Sequence, residues 1–390
     1  MQDKWKKNIL LLGMVSFFND FSSEMIMPIL PMFITSLGGS ALVVGLIGGL
    51  RDSISSILKI FCGYWSDRTG KRKIFVSLGY LTSGIFKLLL SFSNIWQHIL
   101  ISGSLERVGK GLRTAPRDAI IADSMPYQRG RGFGIHRAFD TAGAVLGAST
   151  VFILFWFFGS NFKTIIFFKI IIFIAALFAF FSLIPLYFVK ENKRNPKSIT
   201  LRLSIKALPK PLKLFILICG IFALANFSYM FFILRAKECF GGRLSVAAPI
   251  LLYILFNVFY ASFSIPFGNL SDRIGKKNVL ILGYLLFSVT SFGFAFFNSL
   301  VAFIILFALY GIVYAIVDAN QRAYISDLAC EDTKAIALGT FHTVIGLVAL
   351  PASLIAGFLW QVFGHYVVFL YASLMSIIAV VFFIALARKL

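Results

Sequence analysis

The sequence predicts an all-α polytopic membrane protein of twelve transmembrane helices in two six-helix bundles, and three observations predict it. Of 390 residues, 59% are hydrophobic and 14% charged, with a mean hydropathy of +0.87, too apolar for a chain whose whole surface faces water. Twelve apolar runs are long enough to cross a bilayer. One short polar loop occurs twice, half a chain apart.

A membrane-crossing helix needs about 20 mostly apolar residues. Twelve such spans run 8–36, 41–65, 74–93, 98–122, 132–158, 165–189, 212–236, 244–268, 278–297, 299–325, 335–362 and 364–387. The N-terminus, MQDKWKK before an apolar run, mimics a secretory leader. That run continues with Asp20 and Glu24 inside it and no small-residue cleavage site at the expected distance, so it reads as a retained first span. The longest polar stretch, Lys190 to Lys213, carries eight Lys and Arg. It divides the chain into a first bundle, 1–189, a linker, 190–213, and a second bundle, 214–390. Basic residues in short loops stay cytoplasmic, so the linker, Lys4, Lys6 and Lys7 at the start, and Arg388 and Lys389 at the end predict cytoplasmic termini. The opposite loops, GGSA, SNIW, GSNFK and FGH, are almost free of basic residues. Trp5 and Trp65 fall at cytoplasmic ends of spans and Trp96, Trp156 and Trp360 at outer ends, where interfacial tryptophans belong. The same rule accounts for the net charge of +21, so nucleic acid is not an expected partner. Cys62, Cys219, Cys239 and Cys330 show neither paired nor metal-ligand spacing, and no metal or cofactor is expected.

The duplicated loop reads GYWSDRTGKRK from Gly63 and GNLSDRIGKK from Gly268. So short a connection joins neighbouring antiparallel helices, with a glycine for the φ > 0 turn. Lys71, Arg72, Lys73, Lys276 and Lys277 set topology. Topology alone leaves the repeated carboxylates, Asp67 and Asp272, unexplained. An anion at a helix junction suits the positive N-terminus of a helix from elsewhere, so each is a candidate latch. The pattern resembles the signature loop of the major facilitator superfamily, of the bacterial type. Gly63, Asp67, Arg68, Gly70, Lys71 and Arg72 fill its places in the first half, and Gly268, Asp272, Arg273, Gly275, Lys276 and Lys277 in the second. Asp123 after span four likewise corresponds to Asp327 after span ten. The resemblance covers nearly the whole chain and implies two parallel repeats around one solute site.

Ionisable side chains inside spans cost a few kcal/mol on the insertion scale and must face a partner or a wet cavity. The first half holds Asp20 and Glu24 in span one, Arg51, Asp52 and Lys59 in span two, Lys87 in span three, and His136, Arg137 and Asp140 in span five. Span four is densest, SLERVGKGLRTAPRDA. At about 100° per residue Glu106, Lys110, Arg113 and Arg117 share one stripe, with Arg107 and Asp118 on a neighbouring face. Arg107, Gly111 and Ala115 are similar to the superfamily's span-four motif, which implies that Arg107 is a proton-coupling arginine. Lys110 and Arg113 depart from that motif by adding positive charge, which favours an anionic solute: a polycarboxylate, a phosphorylated metabolite or a carboxylate siderophore. Two readings stand together, an internal salt-bridge network holding a gate and a substrate site. Asp20 and Glu24 lie one turn apart on one face, so one of them is the first candidate proton carrier, ahead of Glu106 and Asp140. Gly143 and Gly147 permit close helix packing and partly resemble the span-five motif of superfamily antiporters, with Ala148 where its proline would stand. That leans toward export. In the second half Asp318 and Arg322 form an i, i+4 pair, with Asn226, Tyr229, Arg235, Tyr310, Tyr314, Asn320 and Gln321 as polar cavity candidates.

These features predict a secondary transporter, not an enzyme. It is expected to move a small anionic solute by alternating access with a proton or other coupling ion, as a monomer in the cytoplasmic membrane. No nucleotide-binding loop offers ATP as the driving force. The alternatives are a lipid or amphipathic drug exporter on the same fold, a membrane-embedded enzyme, and a transport-silent sensor.

Overall fold

The computed structural model describes residues 2–125, 129–191, 208–329 and 334–386, and all regular structure among them is helical. Residues 192–207 of the linker, Cys330, Arg388 and Lys389 lie outside the described residues.

The first six spans are α1 (Gln2–Ile26) with α2 (Leu30–Ser36), α3 (Ala41–Thr69), α4 (Arg72–Ser91), α5 (Trp96–Ser124), α6 (Arg129–Phe158), and α7 (Thr164–Phe181) with α8 (Leu183–Phe188). The next six are α9 (Lys210–Ala225) with α10 (Met230–Cys239), α11 (Leu244–Ile274), α12 (Lys276–Phe296), α13 (Leu300–Leu328), α14 (Lys334–Phe363) and α15 (His365–Leu386). Among the described residues eleven spans are long and apolar enough to cross a membrane by length and composition. The twelfth, α5, has the length, 29 residues, but carries the charges described above. Large apolar side chains such as Leu177, Ile265 and Val301 are exposed on helix surfaces, as contact with lipid tails requires.

Three spans expected to be continuous are broken. Span one breaks at residues 27–29, where Pro28 and Pro31 deny backbone donors. Span seven breaks after Asn226, and the freed amide of Ser228 is satisfied by the Ser353 hydroxyl at 3.1 Å. Span six breaks at Ser182, whose hydroxyl donates to the Ala179 carbonyl at 2.6 Å.

The chain forms two compact units, residues 1–39 with 54–201, and 40–53 with 202–390. The expected first bundle, 1–189, therefore cedes the start of α3 to the second unit. Three glycines there explain it, because their bare backbone lies against the second unit's own residues. A Cβ on Gly48 would stand 2.5 Å from the Ser228 hydroxyl, and one on Gly49 2.8 Å from Leu350 Cα.

In the first unit α1 packs on α6 and α7, and α4 on α5 and α7. The close packing expected at Gly143 is made with α1: a Cβ there would meet the Phe17 carbonyl at 2.5 Å. In the second unit α11 packs on α13, and α12 on α13 and α15. Its core is aromatic, with Phe222 stacked on Tyr284 at 4.0 Å and Phe232 on Tyr310 at 4.1 Å between ring centroids.

Candidate functional site

The charged side chains of the first unit divide into two groups that the helical stripe does not separate. One group is buried or half-buried and engaged with protein partners. Lys87, 1% exposed, reaches from α4 to α1 and donates to the Ser22 and Ser23 hydroxyls at 2.9 Å each. Arg113 is also buried; it donates to the Ser83 hydroxyl at 2.6 Å and the Gly79 carbonyl at 3.3 Å, and lies 4.5 Å over the Tyr80 ring. These contacts clamp α4 to α5, so Arg113 serves helix packing rather than a solute-facing stripe. Glu106 and Arg107 pair at 3.3 Å while both are buried. Arg117 pairs with Asp118 at 2.9 Å and touches Ser16 at 3.3 Å, and buried His136 lies 3.5 Å from Asp140.

The other group is half-buried or exposed. Lys110 occupies the middle of α5 and is exposed. Its ammonium lies in electrostatic range of Arg107, Asp20, Arg113 and Glu106, yet among the described residues no hydrogen bond or ion pair holds it. A charged side chain inside a span must face a partner or a wet cavity, which makes an unpaired mid-span lysine a candidate cavity residue. Asp20, half-buried, accepts from the Asn19 amide at 3.0 Å and lies in range of Asp140, Lys110, Arg117 and Arg113. Glu24 is half-buried one turn on, and Arg137 is exposed on α6. Arg51 and Asp52, buried and half-buried, belong to the segment of α3 that groups with the second unit.

In the second unit Asp318 and Arg322 pair at 2.6 Å, and Tyr260 donates to the same carboxylate at 3.0 Å. The other polar candidates separate by role. Gln321 is buried and donates to the Tyr284 hydroxyl at 2.8 Å, and Asn320 to the Ile316 carbonyl at 2.7 Å. Arg235, on α10, is buried and donates to the carbonyls at the end of α12, Phe294 at 2.9 Å and Phe297 at 3.1 Å, and to the Asn298 side chain. Gln321 and Arg235 hold helices together, whereas Asn320 bonds back within α13.

The duplicated loops repeat in space. Gly70 and Gly275 adopt φ of +68° and +90°, ending α3 and α11 as left-handed turns. The first residue of the next helix then reaches the carboxylate 51 positions later: Arg72 to Asp123 at 2.7 Å, and Lys276 to Asp327 at 2.6 Å. The copies differ by one residue, since Lys71 precedes α4 whereas Gly275 itself precedes α12. Asp67 accepts from Arg72 at 2.5 Å, so here it pairs across its own loop rather than with a helix N-terminus. The carboxylate at a helix N-terminus is that of Glu191, which accepts from the backbone N–H of Arg72 at 2.6 Å and Lys73 at 3.1 Å. Gly63 packs near Ala115, Arg68 reaches the Tyr64 hydroxyl at 3.5 Å, and Lys71, Asp272 and Arg273 are exposed, with open space around Gly268.

The Major Facilitator Superfamily model matches residues 12–238 and again 215–389. The chain belongs to the Major Facilitator Superfamily. A relative from Methanocaldococcus jannaschii, an uncharacterized MFS-type transporter, is 58% identical over 380 residues, 96% of this chain and 93% of that protein. The multidrug resistance protein MdtH of Shigella dysenteriae is 36% identical over 122 residues, 30% of this chain and 29% of that one. Among solved structures, the nucleoside transporter NupG superposes with a TM-score of 0.82 at 12% identity, covering 98% of this chain and 99% of that one. The protein is therefore a multi-pass membrane transporter of this superfamily.

Within this transporter the structure adds a signal that reading spans as continuous helices missed. Spans one and seven are both interrupted, at 27–29 and 226–229, about one turn out of register at the spacing that relates Arg72 to Lys276, and interrupted helices in the two halves of a carrier point to candidate solute sites. Met27, at the first break, takes a contact from Arg107 at 3.2 Å. Asn226, at the second, accepts from the Tyr314 hydroxyl at 3.4 Å. Pro28 and Pro31 carry the first signal in the sequence; the second has no proline or glycine to announce it.

Proposed function

We propose that this transporter moves a small anionic solute across the cytoplasmic membrane by alternating access, coupled to protons and directed outward, with both termini in the cytoplasm. Lys110 is the observation that carries the anionic reading. An exposed ammonium at mid-span with no committed partner attracts an anion, and Arg107 and Arg113 nearby reinforce its field. Asp20 and Glu24, on the helix facing this cluster, supply the proton-carrying carboxylate, and the buried Glu106–Arg107 pair is the element that exchange of partners would reset. The two signature loops act as the cytoplasmic gate, with Asp67 released from Arg72 to form its latch when the gate closes.

The test is transport in proteoliposomes of purified protein. Labelled polycarboxylates, sugar phosphates and carboxylate siderophores are offered with and without a pH gradient. Concentrative movement of at least one class that requires the gradient and is lost in Lys110→Ala supports the reading. Movement unaffected by Lys110→Ala, or restricted to uncharged solutes, contradicts it. The partial match to MdtH favours a second reading, export of amphipathic drugs. Dye extrusion that competes with lipophilic cations but not with anions would select it.

A further inference from the structure

The second unit carries a polar surface that the anionic reading leaves unused. It is built on one stripe of α13, where Tyr310, Tyr314, Asp318 and Arg322 follow at four-residue spacing. Gly311 brings α11 close, since a Cβ there would stand 2.5 Å from the Phe256 carbonyl. Phe256 and Tyr260 consequently face the stripe. Tyr314 sits edge-on to Phe256 and Tyr260, with centroids 5.3 and 6.1 Å away. The break between α9 and α10 adds Asn226.

Hydrogen bonds in this group run in one sense. Tyr310 donates to Tyr314 at 3.4 Å, and Tyr314 to Asn226 Oδ1 at 3.4 Å. Tyr260 and Arg322 both donate to Asp318 Oδ2, at 3.0 and 2.6 Å. Among the described residues no hydrogen bond engages Asp318 Oδ1, an acceptor, or Asn226 Nδ2 and Arg322 Nη1, both donors. Asp318 and Arg322 are both nearly half exposed, at 46% and 44% of their side chains. An ion pair so open within a membrane-spanning helix faces water rather than lipid. The surface thus offers an ionised acceptor, a neutral donor and aromatic rings, with its own charge balanced by Arg322.

We propose that this surface binds a planar nitrogen heterocycle. A ring N–H donates to Asp318 Oδ1, a ring carbonyl or imine nitrogen accepts from Asn226 Nδ2, and the ring packs on Tyr260 and Tyr314. The proposal rests on the chain being a solute carrier but not on the solute's charge. A heterocycle bearing an acidic substituent would satisfy both readings.

Calorimetry on the purified full-length protein tests it with three probes: uracil, adenine, and 1,3-dimethyluracil, which keeps the ring and carbonyls but lacks both N–H groups. The expected result is saturable binding of uracil or adenine. Dimethyluracil should bind at least about tenfold more weakly, because it leaves the carboxylate unpaired. Asp318→Asn should weaken the N–H probe about tenfold and shrink its advantage over dimethyluracil. Tyr314→Phe, which keeps the ring, should bind within about threefold of the parent, and Tyr314→Ala should not bind. Melting curves of each variant show that it is folded. No saturable binding of either base, equal affinity for uracil and dimethyluracil, or indifference to Asp318→Asn would overturn the proposal. Lys110→Ala is expected to leave base binding intact. Loss of base binding beside intact anion transport therefore refutes only this inference, and the converse refutes only the anionic reading.

Discussion

Replacing Arg72 and Lys276 by alanine in turn probes how unequal two copies of one loop have become. Arg72 is 10% exposed and ties two carboxylates, Asp67 at 40% and Asp123 at 26%. Charge-assisted hydrogen bonds contribute about 1.5–3 kcal/mol when sheltered, and exposed pairs about 0–1 kcal/mol. The Asp123 bond falls near the sheltered range and the Asp67 bond must be discounted for its exposure. Arg72→Ala is therefore expected to cost about 2–3 kcal/mol. Lys276 is 22% exposed and meets one carboxylate that is 53% exposed, so Lys276→Ala is expected to cost less than about 1 kcal/mol. Denaturant titration in lipid–detergent micelles reads both. Raising the salt from 0.1 to 1 M shortens the screening length from about 10 to about 3 Å and should remove most of the Lys276 effect while sparing most of that of Arg72. Equal losses, or a larger loss at Lys276, would refute the view that burial rather than motif membership sets these energies.

Three further outcomes follow from the geometry. Glu191→Ala removes the carboxylate from the N-terminus of α4, expected to cost about 1 kcal/mol and to speed hydrogen exchange at Arg72 and Lys73 above the rest of the helix; unchanged exchange there would discount the cap. Gly143→Val places atoms against the Phe17 backbone, which cannot yield, whereas Gly134→Ala enters open space; expression and melting should collapse for the first and hold for the second, and tolerance of both would contradict the α1–α6 contact. Arg113→Lys should melt earlier than the parent, because an ammonium cannot reproduce the planar fork over Tyr80 with its bonds to Ser83 and Gly79; parental stability would return Arg113 to the list of solute-facing charges.

Much of the architecture is legible in the sequence because lipid imposes one dominant constraint. A span must be apolar for about 20 residues, and the observed spans agree with the expected runs to within a few residues except that α1 starts early, at Gln2, and α11 ends late, at Ile274. The repeat is equally legible, since Gly70 and Gly275 need φ > 0 and the carboxylates at 123 and 327 recur at one spacing. Breaks were harder to read. Pro28 and Pro31 mark the first, but Asn226 and Ser228 look like ordinary polar positions until Ser353, far along the chain, is seen to take up the freed amide. The charges of α5 pose a different difficulty. Periodicity places Glu106, Lys110, Arg113 and Arg117 on one stripe, yet a stripe spans a wide arc. Arg113 falls on its α4 side because Gly79 and Ser83 supply acceptors there, while Lys110 remains open. Which cation is structural and which is available depends on the neighbouring helix, information no single stretch contains. The start of α3 is similar: Gly45, Gly48 and Gly49 announce close packing but not the unit that supplies the partner.

The account rests on Lys110 being an uncommitted cation open to a solute. Isotope-labelled lysine in the reconstituted protein, with Lys110→Arg and Lys110→Ala as references, lets its ammonium resonance be followed as candidate anions are titrated. A saturable shift of that resonance, paralleled by transport that Lys110→Arg preserves and Lys110→Ala abolishes, is the predicted result. A resonance blind to every anion that the protein transports would contradict the account.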